Sequence, residues 1–187
     1  MKNYKNNNPA WDEAILKMQN YSIDEHIHNY AVWTAARAVQ RKFQGAKTAN
    51  ISKAINDADL EGRFLKKNQW NNDSFDREHE KSINALCESL KDFNCSYGRA
   101  AKIIAIYLKT SVIISNNGIG DLSKVIHPPI DRKLLSALKK HKLLFINEKE
   151  IPAWTDLKKE KYLEIIDDMR NLVEDLPMWK IEKYWEL

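Results

Sequence analysis

The chain has 187 residues, 43% apolar and 30% charged, with six Trp, seven Tyr, five Gly and a formal net charge of +4. That length suits one domain, residues 9–187, behind a frayed Asn/Lys-rich tail at 1–8, and the aliphatic and aromatic content excludes disorder for most of it. Cys87 and Cys95 make neither a disulfide framework nor a zinc motif. No apolar run reaches the roughly 20 residues of a membrane span, and Met1 to Pro9 lacks the apolar stretch of a secretory signal, so a cytoplasmic location is expected.

Taken in order, residues 9–20 predict a short helix: Asn8 can cap it, Pro9 suits a first helical position, and Trp11, Ile15, Leu16 and Met18 form an apolar face. Ser22-Ile-Asp-Glu25 is a capping box opening a second helix that runs to about Phe43; the small residues between Tyr30 and Val39 mark it as central. Thr48 to about Lys67 predicts one or two short helices broken near Asn56-Asp57, with Ile51, Ile55, Leu60, Phe64 and Leu65 inward. Phe75, His79, Ile83, Leu86, Cys87 and Leu90 then recur at helical spacing, with Asp73 or Ser74 as cap. After a turn at 92–96, Tyr97 to Lys109 is apolar on most sides and predicts a buried helix. Ser115 to Asp121 reads as a loop, His127-Pro-Pro129 forbids a helix through that point, and Asp131 stands as N-cap ahead of Leu134, Leu135 and Leu138. Leu143 to Pro152 reads as irregular or one short strand. Thr155 is the expected cap of a long helix holding Ile165, Ile166, Met169 and Val173, and Pro177 opens a last segment with Trp179, Ile181, Tyr184 and Trp185. The fold class is all-α, with seven to nine helices.

Charge is not evenly spread. Residues 97–142 carry nine basic side chains (Arg99, Lys102, Lys109, Lys124, Arg132, Lys133, Lys139, Lys140, Lys142) against Asp121 and Asp131, a balance of 9 − 2 = +7. Clustered cations of this kind are the footprint of a phosphate-backbone partner; the plainer alternative is a helix end whose lysines meet the dipole and whose other cations are solvated.

The order helix, tight turn, helix beginning Tyr97-Gly-Arg-Ala-Ala-Lys102, followed by a loop into Ile-His-Pro-Pro-Ile-Asp131-Arg132, resembles the later half of the helix-hairpin-helix DNA glycosylases, notably the 8-oxoguanine DNA glycosylase branch, over about residues 75–140. The resemblance implies a hairpin that grips double-stranded DNA through Gly98, Arg99, Lys102, Lys109 and Arg132. It also implies a catalytic pair in which Lys102, or alternatively Lys109, attacks the sugar while Asp131 assists. A neutral lysine amine is the nucleophile such chemistry needs, so its pKa must be depressed by burial or by neighbouring cations. An extruded base would need an aromatic pocket, for which Trp33, Trp70 and Trp154 are candidates by residue type. The family's hairpin carries two glycines around an apolar residue; Cys95-Ser-Tyr-Gly98 has only the second, whereas Gly118-Ile-Gly120 has both.

Other chemistry is absent from the pattern. His26 and His28 are two apart and point apart on a helix, and His79 lies on an apolar face as a core histidine, so no metal and no cofactor is expected. Trp33, Arg37 and Arg41 share a helix as a stacking surface or as a packing device. The sequence therefore points to a DNA-binding protein related to base-excision glycosylases. A non-enzymatic helical interaction domain, with Trp179 to Trp185 packed within the chain or on a partner, is the alternative.

Overall fold

The computed structural model describes residues 9–40, 43, 45–67, 69–144 and 153–185. Among these it contains no strand, in agreement with the all-α expectation. The helices are α1 (Pro9–Asn20), α2 (Ile23–Gln40), α3 (Thr48–Asp57), α4 (Leu60–Leu65), α5 (Asn72–Ser89), α6 (Tyr97–Leu108), α7 (Asp121–Val125), α8 (Arg132–Lys140) and α9 (Lys159–Val173). Short 3-10 segments at Lys91–Phe93, Trp154–Asp156 and Met178–Tyr184 and a π-helical extension of α6 at Lys109–Ile114 complete them. No helix among the described residues is long and apolar enough to cross a membrane.

Helix α6 is the axis of the molecule. Nine of its residues are buried, Lys102 among them, and it packs on α2, α5 and α9. The α2–α6 contact is the most extensive, because Ala31, Ala35 and Ala36 on the inner face of α2 let the two backbones approach. One hydrophobic cluster extends from Ala31 to Ile181 and includes Phe64, Phe75, Ile103, Tyr162 and Met169.

Local signals account for most of the boundaries. The Ser22 hydroxyl accepts the Glu25 N–H (3.1 Å) at the start of α2, and the Asp131 carboxylate accepts the Leu134 N–H (3.0 Å) at the start of α8, both as expected. The break between α3 and α4 falls at Asp59, whose left-handed φ of 48° reverses the chain. Helix α5 is capped by Asn71 rather than Asp73 or Ser74: the Asn71 side chain accepts the Ser74 N–H, and Ser74 Oγ in return accepts the Asn71 N–H. Helix α9 starts at Lys159, and Thr155 lies in the preceding 3-10 turn instead of capping it. Leu65 is exposed, not inward. The expectations for residues 1–8, for Arg41 and for 145–152 lie outside the described residues.

Candidate functional site

The start of α6, the expected phosphate grip, is closed. Ser96 caps it by accepting the Arg99 N–H (3.2 Å) and donates its own hydroxyl proton to the Thr155 carbonyl. The Gly98 N–H donates to the Leu157 carbonyl (3.1 Å). A Cβ at Gly98 would lie 2.0 Å from the Trp154 carbonyl oxygen, so glycine here serves close packing of the 154–157 segment on the helix. Neither amide is left for a phosphate oxygen, which removes the physical basis for a hairpin grip at this turn. The Arg99 side chain donates to the Asn94 carbonyl (3.1 Å) and sits over the Phe43 ring. The two-glycine turn has its own internal use: the Gly118 N–H donates to the Ile113 carbonyl (2.7 Å), and the Trp179 ring packs against Gly118. It leads only into the five-residue α7.

Lys102 and Asp131 come together, although 29 residues of sequence separate them. Lys102 Nζ lies 3.6 Å from Asp131 Oδ2 and 4.2 Å from the centre of the Trp154 ring, with 9% of the side chain exposed. Burial pushes the ammonium below its ordinary value, and the Asp131 charge opposes that shift. Asp131 thus divides its carboxylate, one oxygen capping α8 and the other facing the amine. Lys109, the alternative amine, is instead paired with Glu182, and burial raises the Glu182 pKa against that pairing. The void beside Asp131 is about 40 Å³, bounded by Lys109, Glu182 and Trp185, which is room for about one water and not for a nucleotide. Of the tryptophans considered for a base pocket, Trp154 roofs Lys102, Trp70 is packed with Phe64 and Phe75, and Trp33 stacks on Tyr30 at the surface.

Arg99, Lys102, Lys109 and Lys124 meet Asn94, Asp131, Glu182 and Asp121. Arg132, Lys133, Lys139, Lys140 and Lys142 are exposed along α8 and its end, while Leu134, Leu135, Ala137 and Leu138 take the inner face. The last aromatic segment packs within the chain, with Met178 and Ile181 buried and the Trp185 ring near Lys109 and Lys133.

A cleft of about 750 Å³ is bordered by Asp24, Glu61, Trp70 and Tyr107. Tyr107 is five residues beyond Lys102, about 140° around α6, so this cleft is not continuous with the amine–carboxylate pair. Within it the Tyr107 hydroxyl and His28 Nδ1 satisfy each other at 3.0 Å.

A second polar constellation is invisible to motif reading. Asp76 and His79 project from one face of α5, His127 from the segment before the prolines, and Tyr162 and Arg170 from α9. Arg170 grips Asp76 with both terminal nitrogens (2.7 and 3.0 Å), His127 Nε2 lies 3.1 Å from Asp76 Oδ1, and His127 Nδ1 lies 3.1 Å from the Tyr162 hydroxyl. With Nε2–H donating to Asp76, the Tyr162 hydroxyl donates to Nδ1; Arg170 Nη2 also lies 3.1 Å from Nε2, and Arg170 Nε is buried without a hydrogen-bond partner. Burial opposes ionisation of Asp76, yet the hydrogen bonds from His127 and Arg170 hold its carboxyl well below the usual range. Burial drives both imidazoles down; His127 reinforces this for His79, whereas Asp76 opposes it for His127. The only sequence signal was the Asp76-x-x-His79 spacing on the inner face of an amphipathic helix. Among the described residues, no group of three His, Cys, Asp or Glu side chains is arranged to hold a metal ion.

Compared with protein-family models, with curated proteins and with solved structures, the chain has no match in any of the three.

Proposed function

We propose that the chain binds double-stranded DNA, with the outer face of α8 on the phosphate backbone. The observation that carries this reading is the segregation within α8: Arg132, Lys133, Lys139 and Lys140 face solvent and every apolar residue faces the core. A row of exposed cations on one helix releases condensed counterions when it meets a polyanion, and that gain needs no hairpin amides. On the same reading, Lys102 and Asp131 are the amine and carboxylate of a base-excision enzyme related to the helix-hairpin-helix glycosylases. Their support is their apposition at 3.6 Å and the depressed amine. An attack on sugar requires the Trp154 roof to withdraw, because the indole covers the Lys102 amine at 4.2 Å.

The test is titration of a short fluorescent duplex at several salt concentrations. Binding is expected to weaken steeply with salt, and Arg132→Glu with Lys133→Glu is expected to lower affinity about ten-fold and to flatten the salt slope by about two. Affinity that ignores salt and both reversals overturns the reading. Borohydride trapping on a duplex with an abasic site tests the chemistry separately: a covalent adduct is expected with the native chain and none with Lys102→Gln.

A second reading has its own observation. No residue of α1 is buried, and Trp11, Ile15, Leu16 and Met18 are all exposed on it, which suits a helical interaction domain without chemistry. Absence of DNA binding in the titration favours it.

A further inference from the structure

Helix α5 ends at Ser89, and the chain reverses within a few residues. The Phe93 N–H donates to the Leu90 carbonyl and the Asn94 N–H to the Lys91 carbonyl, both at 3.0 Å, and Asn94 takes a left-handed φ of 53°, which turns the chain back toward α5. Arg99 fastens this turn by donating to the Asn94 carbonyl (3.1 Å). Cys95, directly ahead of the α6 cap Ser96, thereby meets Cys87 of α5, and the two side chains share a hydrogen bond. Both cysteines are free and half-buried. We propose that Cys87 and Cys95 are a reversible redox site, a dithiol that a small disulfide such as oxidised glutathione converts into an intramolecular disulfide, with Cys87 as the attacking sulfur and Cys95 as the resolving one.

Proximity is the first support: sulfurs already in hydrogen-bond contact have only to close to about 2.05 Å, and the bonded turn between them presents them together instead of leaving the meeting to chance. The second is the order of proton loss. The Cys95 S–H donates to the Cys87 sulfur, which favours the thiolate on Cys87 and keeps the proton on Cys95. Burial opposes both thiolates, while Arg99 and the Ala100 N–H favour one on Cys95 without reversing the order. The Tyr97 hydroxyl, which senses a charge on Cys87, is kept protonated by burial and does not compete as a base. In the reaction the Cys87 thiolate attacks one sulfur of oxidised glutathione and expels the other as a glutathione thiolate. Cys87 no longer accepts from Cys95 once it is a mixed disulfide, so the main cause holding the Cys95 proton is gone and the charge of Arg99 remains in favour of its thiolate. Cys95 then attacks the Cys87 sulfur and expels the second glutathione. Two protein thiols are oxidised, one glutathione disulfide is reduced, and the two protons end on the glutathione thiols. The site is separate from the Lys102–Asp131 pair and does not depend on the DNA reading.

The experiment equilibrates the full chain with defined mixtures of reduced and oxidised glutathione, in buffer and in denaturing urea, and reads intact mass after an acid quench. A monomer lighter by two hydrogens and restored by dithiothreitol is expected. Its equilibrium constant in the native chain is expected to exceed that in urea by about ten-fold or more, because the fold presents the two sulfurs to each other. Equal constants overturn the proposal, since cysteines this near in sequence can meet in any unfolded chain. Thiols that stay reduced, a glutathione adduct that never resolves, or a bridge found only between two chains overturn it as well. Brief treatment of the reduced native chain with limiting iodoacetamide reads the order, because cleavage after Lys91 separates the two cysteines. Alkylation of Cys87 is expected to exceed that of Cys95 about ten-fold, and equal or reversed labelling overturns the assignment.

Discussion

At Gly98 a single added methyl group would strike a backbone carbonyl, since the Cβ would sit 2.0 Å from Trp154 O and 3.0 Å from Leu157 Cβ. Neither the helix nor the carbonyl can rotate away as a flexible side chain does. Gly98→Ala is therefore expected to destabilise the fold by about 1–3 kcal/mol even though alanine is the better helix former, and urea denaturation measures it. An unchanged midpoint would mean that the 154–157 segment does not rest on α6. The sequence signalled that this glycine mattered, because it opens a buried helix. It did not say which segment lies against it: the covering stretch of chain is more than 50 residues away, and periodicity carries no information about what lies on top of a helix. His79 shows the same limit. Its spacing placed it in the core, where it is, but whether a buried nitrogen finds a partner depends on elements that arrive from α9 and the proline loop.

Among the elements, α1 and α8 have opposite relations to the core. Helix α8 buries Leu134, Leu135, Ala137 and Leu138, whereas α1 buries nothing, with Trp11 58% and Met18 67% exposed. Stability follows buried apolar area, so Trp11→Ser with Leu16→Ser in α1 is expected to change the free energy of unfolding, measured with urea, by no more than about 0.5 kcal/mol. A larger loss would show that α1 packs on the chain. The apolar pattern of α1 was plain in the sequence, yet amphipathicity states only that a face exists and is silent on whether anything meets it. Asp131 was the more legible case. An aspartate ahead of Leu134 is an N-cap by local rules alone, and the cap formed. Its second task, facing Lys102, depends on how the proline loop returns to α6, which spacing alone does not state.

For the whole molecule, the histidine network ties α5, the proline loop and α9 into one acid-sensitive unit. His79 and His127 both have folded-state pKa values below the 6.5 of a free imidazole, so the unfolded chain binds more protons as pH falls. Their contribution is fully present above pH 6.5 and is lost progressively below it. Asp76, held below 3.8, contributes above that value and is lost at still lower pH. The urea midpoint is expected to fall between pH 7 and pH 5 and again below pH 4. In His79→Phe the first decline is expected to be shallower, and stability at pH 7 equal or higher, because the orphaned nitrogen is gone. An identical pH profile in that variant would place the acid sensitivity elsewhere.

One short strap performs two tasks. The carbonyls of Trp154, Thr155 and Leu157 rest on the first turn of α6 while the indole of Trp154 shelters the Lys102 amine. Loss of that strap would free the Gly98 N–H and expose the Lys102 amine together. The packing at the foot of α6 and the shielding of a buried amine thus depend on one and the same segment.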